Sequence, residues 1–153
     1  MPAGVARVEK SKRSRSFSSA EEMREVLTEL LTDVDEDTEL GRRLRSAQVS
    51  YRYVFPDLGL SLNIASSEET DHWIRWSFGE PQEGEPALTL EMSSEVANRY
   101  LQGRENLAIG VARGNIRCSS KARAALKLLP ISGQLSESYR RVLQRRHPHL
   151  LLA

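Results

Sequence analysis

The chain has 153 residues and a net charge of +1, enough length for one domain that buries roughly two thirds of its unfolded surface. Its apolar and charged fractions are those of a soluble globular protein, and the balance of charge argues against a bulk nucleic-acid-binding role. One cysteine, Cys118, excludes an intrachain disulfide and fits a reducing cytoplasm, the expected compartment. Within an apolar strand it reads as a small buried hydrophobe, and no run approaches the ~18–20 apolar residues of a membrane span.

Residues 1–18 are basic and serine-rich, with Lys10, Lys12, Arg13 and Arg15 and few apolar side chains after Val8. Such a segment reads as a disordered tail, and it lacks the apolar core of a secretory signal. Ser19 to Glu22 forms a capping box, with Phe17 placed as a hydrophobic staple. Met23, Val26, Leu27, Leu30, Leu31 and Val34 then recur at helical spacing, and Leu40 to Leu44 adds a further turn.

A hairpin follows. Val49, Tyr51, Tyr53 and Phe55 alternate with polar residues, Pro56-Asp57 supplies turn chemistry, and Leu58, Leu60, Leu62 and Ile64 alternate again. A third strand is expected over His72–Phe78, with Ile74, Trp76 and Phe78 on one face. A polar loop from Gly79 to Pro86 leads to Leu88, Leu90 and Met92, which alternate with Thr89 and Glu91. Ser93 and Ser94 offer N-cap hydroxyls to a helix carrying Val96, Ala97, Tyr100 and Leu101, stopped by Gly103 in a left-handed C′ position. The segment to Gly114 reads as a glycine-punctuated turn, Asn115–Cys118 as an edge strand, and residues 121–129 as a helix. Past Pro130, Leu135, Tyr139, Val142 and Leu143 mark a last helix with Arg140, Arg141, Arg145 and Arg146 on or beside its other face. Leu150-Leu-Leu152 either docks in a groove or ends the chain as a sticky tail.

Gly103-Arg104, Gly114 and Ala125-Leu-Lys-Leu128, set in the order strand, serine-started helix, glycine, strand, helix, resemble the sterol carrier protein 2 family. The resemblance runs from about Val49 onward and departs at Ser119-Ser120, where many members carry a glycine. It implies an α+β fold: a five-stranded, mostly antiparallel sheet covered on one face by helices, with an apolar cavity between sheet and helices. The implied organisation is a single domain over 19–147, with an apolar tail over 148–153. By position, the implied walls of the cavity are Trp76, Phe78, Leu90, Met92, Leu101, Leu107, Ile109, Val111, Leu126, Leu129, Tyr139 and Val142.

Chemistry is not prominent in the residues themselves. His147-Pro-His149 lies outside the usual metal spacings and reads as a surface pair at a frayed end. His72, beside Asp71, reads as exposed loop polarity. No nucleophile elbow, phosphate loop or dinucleotide fingerprint is present, and no carboxylate pair sits in an apolar strand where its pKa could be tuned. No cofactor and no metal are expected. The first reading is therefore non-catalytic binding or transfer of a lipid, fatty-acyl or sterol-like ligand. Two others stand beside it. One is an accessory module with a vestigial cavity, acting in dimerisation or partner binding. The other is a small hydrolase or isomerase using Tyr51, Tyr53 or His72. The acids of residues 21–40 and the bases from Arg113 onward are either two solvated faces or, on the basic side, a surface for anionic headgroups. The expected partners are thus the ligand, an anionic membrane touched transiently through the C-terminal arginines, and a second copy in a homodimer.

Overall fold

The computed structural model describes residues 16–80, 86–119 and 131–152. The expected helix over 121–129 lies outside them, as does nearly all of the basic tail. Helix α1, Ala20–Glu36, starts where Ser19 accepts the Glu22 amide at 3.1 Å. Glu22 reaches back to the Ser18 amide at 2.8 Å, one residue earlier than a standard capping box, and Phe17 is buried beside it. The six apolar residues of its stripe are all buried. Each contributes about 1.5–3 kcal/mol, as an upper bound.

Asp37 closes α1 and also caps α2, Thr38–Ser46, which is longer than the single turn expected. The strands are β1, Ser50–Phe55; β2, Leu60–Ser66; β3, Ile74–Phe78; β4, Leu88–Met92; and β5, Ile116–Cys118. Between the last two lie α3, Ser94–Leu101, and α4, Leu107–Ala112. Helix α5, Ser132–Arg146, and a 3-10 turn, Pro148–Leu150, follow.

The sheet order is β3-β2-β1-β4-β5. Three neighbouring pairs are antiparallel, and the central pair β1–β4 is parallel, with Tyr51 opposite Leu88 and Tyr53 opposite Leu90. Register places the alternating apolar residues together. Tyr51, Tyr53 and Phe55 share a face with Leu62, Ile64, Trp76, Leu90 and Ile116. The opposite face carries Arg52, Asn63, Ser77, Glu91 and Arg117. The apolar face joins the α1 stripe and the buried residues of α5 in one core. That is the layered arrangement a one-sided sheet requires.

Two junctions hold these layers in place. Asp35 on α1 accepts the amides of Trp73 at 2.7 Å and Ile74 at 3.1 Å. This binds the start of β3 to the helix and shortens the strand expected from His72. In the β1–β2 turn, Asp57 accepts both the amide and the hydroxyl of Ser94, at 2.9 and 2.6 Å, and so sets where α3 begins. The segment read as a turn after Gly103 contains α4, bracketed by two Schellman motifs with Gly103 at φ 80° and Gly114 at φ 79°.

Candidate ligand-binding site

Between α1, the centre of the sheet and α3 lies an apolar cavity of about 60 Å³. Helix α1 contributes Leu27, Leu30 and Leu31, and the strands contribute Tyr53, Phe55, Leu62, Ile64 and Met92. Ala97, Tyr100 and Leu101 from α3 and Leu135 from α5 complete the wall. The volume holds roughly four waters, yet its lining offers little to bind them. The polar exception is a pair of tyrosines, Tyr53 and Tyr100, whose hydroxyls lie close enough to perturb each other. Burial pushes both hydroxyls above the ordinary tyrosine range, Tyr53 well above it, so both stay protonated near neutrality.

A larger groove, about 440 Å³, runs from the end of α3 to the start of α5. Its lining is mixed, with Gln102, Glu105, Asn106, Ser136, Glu137 and Arg140 beside Tyr100 and Leu107. Tyr100 lines both spaces. An amphipathic molecule laid across Tyr100 therefore has an apolar side and a hydrogen-bonding side.

Of the residues named from the resemblance, Met92 and Leu101 line the apolar cavity. Trp76 and Phe78 are half-buried on the same sheet face, and Arg24 lies over the Phe78 ring at 5.0 Å. Leu90, Tyr139 and Val142 are fully buried in the core. Leu107 borders the larger groove. Ile109 and Val111 point outward, 48% and 42% exposed. Leu126 and Leu129 lie outside the described residues. The α1 leucines and the tyrosine pair were not singled out as walls. A signal was present: an apolar stripe on α1 had to face something, and Tyr53 alternates inward on β1.

The C-terminal segment is docked. Asn98 Nδ2 and Gln102 Nε2 each donate to the Leu150 carbonyl at 2.9 Å, and the Leu152 amide donates to Gln102 Oε1 at 2.9 Å. Tyr139 donates to Asn98 Oδ1 at 2.7 Å. Leu150 is completely buried.

The histidines correct the reading of a frayed surface pair. His147 is buried, with Nε2 2.7 Å from Glu29, and His149 lies 2.9 Å from Glu22. Arg145 and Arg146 pair with Asp33 and Glu29 at 2.8 and 3.0 Å. Among the described residues, no group of three His, Cys, Asp or Glu is placed to hold a metal, and no helix is long and apolar enough to cross a membrane.

These features define an α+β domain of the sterol carrier protein 2 fold. Sterol carrier protein 2 from Yarrowia lipolytica in its apo form matches at a TM-score of 0.50 and 14% identity, over 75% of this chain and 88% of that one. The sterol carrier protein domain 2 of Helicoverpa armigera matches at 0.50 and 18%, over 71% and 83%. A stereoselective inverting sec-alkylsulfatase from Pseudomonas sp. matches at 0.50 and 12%, over 61% of this chain, which spans only 14% of that protein. No family model matches the sequence, and no curated protein matches it.

Proposed function

We propose that this chain is a non-catalytic binding or transfer protein for a lipid or another amphipathic apolar ligand. One observation carries the reading: the apolar cavity between sheet and helices has two neighbouring tyrosines, Tyr53 and Tyr100, as its polar feature. Such a site suits a long apolar body ending in a hydroxyl or carboxyl group, which can hydrogen-bond a tyrosine hydroxyl there. The ligand-bearing walls are Leu30, Tyr53, Met92, Tyr100, Leu101 and Leu135, with Trp76 and Phe78 extending them along the sheet.

Burying a chain yields about 0.8 kcal/mol per methylene, so micromolar affinity takes roughly ten of them. A cavity of about 60 Å³ does not hold that many. Ligand entry must therefore displace Leu101 and Leu135 and open the wall between α3 and α5. Fold kinship with sterol carrier protein 2 supports this reading.

The small volume also favours a second reading, in which the cavity is vestigial and the domain serves dimerisation or partner binding. The hydrolase alternative loses support from the geometry: His72 is held by Asp35 and lines neither space, while burial raises the tyrosine hydroxyls away from use as bases.

Native mass spectrometry of freshly purified protein, followed by organic extraction, decides between the first two readings. A co-purifying lipid, or a mass shift with fatty acid, acyl-CoA or sterol, is the expected result. A clean mass that none of these shifts would end the carrier reading in favour of the interaction module.

A further inference from the structure

We propose that α4 is a membrane-docking element that seats in an anionic lipid surface. Its six residues, Leu107-Ala-Ile-Gly-Val-Ala112, contain no polar side chain. One face is consumed by the fold, because Gly110 lies against Ile116 so closely that a Cβ there would meet Ile116 Cδ1 at 2.5 Å. At roughly 100° per residue, the direction opposite Gly110 belongs to Ala108 and Ala112, with Ile109 and Val111 at the flanks. All four are exposed. Buried helices are apolar all round; a surface helix ordinarily shows water a polar face. This one shows it methyl and methylene groups, and among the described residues it carries both of the large exposed hydrophobics.

The surrounding charge selects the partner. Arg104 precedes the helix and Arg113 ends it, both exposed. Two of the acids nearby are already engaged. Glu105 pairs with Arg99 at 3.4 Å and accepts from Asn115, and Glu91 lies 3.7 Å from Arg117. An apolar tip with an exposed arginine at each end is an arrangement that enters the headgroup layer of an anionic bilayer. A protein partner is the poorer fit. The helix is about 9 Å long, and a stable interface needs on the order of 1,000 Å². The Schellman motifs at Gly103 and Gly114 hold the tip rigid, so docking costs little ordering entropy. Leu107 and Asn106 also border the larger groove. Docking through α4 thus brings the mouth beside Tyr100 toward the bilayer. The docking surface itself does not require the cavity to hold a ligand.

The test is co-sedimentation of ligand-free protein with phosphatidylcholine vesicles containing about 30% phosphatidylglycerol. Wild type is expected to bind these vesicles, to bind pure phosphatidylcholine weakly, and to be released by high salt. The pair Ile109→Ser with Val111→Ser, and separately Arg104→Glu with Arg113→Glu, should each lower the partition coefficient about tenfold. Both should leave circular dichroism and the unfolding midpoint unchanged, since all four positions are exposed. Three outcomes overturn the proposal: no binding by folded wild type, undiminished binding by the serine pair, or a wild-type dimer in light scattering that the serine pair converts to monomer. The last would assign the patch to a second copy of the chain.

Discussion

Asp35 is nearly buried and holds three partners at once, the amides of Trp73 and Ile74 and the ring of His72, whose Nδ1 lies 2.6 Å away. Burial alone would raise its pKa, but the hydrogen bonds from His72, Ile74 and Trp73 outweigh that and leave the carboxyl below its ordinary value. Conversely, the hydrogen bond to Asp35 and its charge, with Glu69 and Asp71 adding to them, raise His72 above its ordinary value. The two groups load stability at opposite ends of the pH scale. The contribution of His72 is complete below about pH 6.5 and is lost as pH rises through its raised folded value. That of Asp35 is complete above about pH 3.9 and is lost as pH falls through its lowered folded value. The His72 ring is solvent-exposed, so its share is small. Urea midpoints of wild type should fall between about pH 6 and pH 8.5 by more than those of His72→Gln. Equal slopes in the two proteins would show that the pair does not couple to folding.

Elements were legible in the sequence where a periodic apolar face answered a local need. The α1 stripe and the alternation in β1, β2 and β4 show which residues face inward, because a sheet wet on one side must alternate. Helix α4 was read as a turn for the same physical reason that makes it unusual: with no polar residue there is no amphipathic period to detect. The parallel β1–β4 pairing and the docking of the C-terminal segment depend on partners far away in sequence. Leu150 is held by residues 48 and 52 positions earlier, and His147 by one 118 positions earlier. A polar pair such as Asn98 on α3 and Gln102 at its C-cap, four apart, announces only a wet helix face until the tail covers it. That network gives the element-scale prediction. Tyr139→Phe should cost about 1 kcal/mol and Asn98→Ala about 1–3 kcal/mol, because the latter leaves the buried Tyr139 hydroxyl without its acceptor. Urea unfolding of both variants and their combination should give a coupling of about 0.5–3 kcal/mol. Additive costs would mean the two side chains act independently.

Across the whole molecule, the segregated charge in the sequence finds an explanation in the packing of α1 against the end of α5. Glu22, Glu29 and Asp33 meet His149, His147, Arg146 and Arg145. The exposed pairs among them each give about 0–1 kcal/mol, so they set alignment more than stability, while the His147–Glu29 pair is largely buried. What they align are the layers on either side of the apolar cavity, and a cavity left in an otherwise close-packed interior has a cost. If the space is retained for a ligand, filling it should separate stability from binding. Ala97 lies on the cavity wall, almost wholly buried, in the middle of α3. Ala97→Leu places an isobutyl group in the void without a helix-propensity penalty of note. Thermal unfolding should rise by the equivalent of about 0.5–2 kcal/mol. Uptake of whichever lipid shifts the native mass of wild type should fall at least about tenfold, which is about 1.4 kcal/mol. A variant that gains stability and still takes up ligand would place the ligand elsewhere, with the 440 Å³ groove beside Tyr100 as the next site to block. A variant that loses stability would show that the void is too rigid to accept the added atoms, and so too rigid to admit a chain without the wall opening between Leu101 and Leu135.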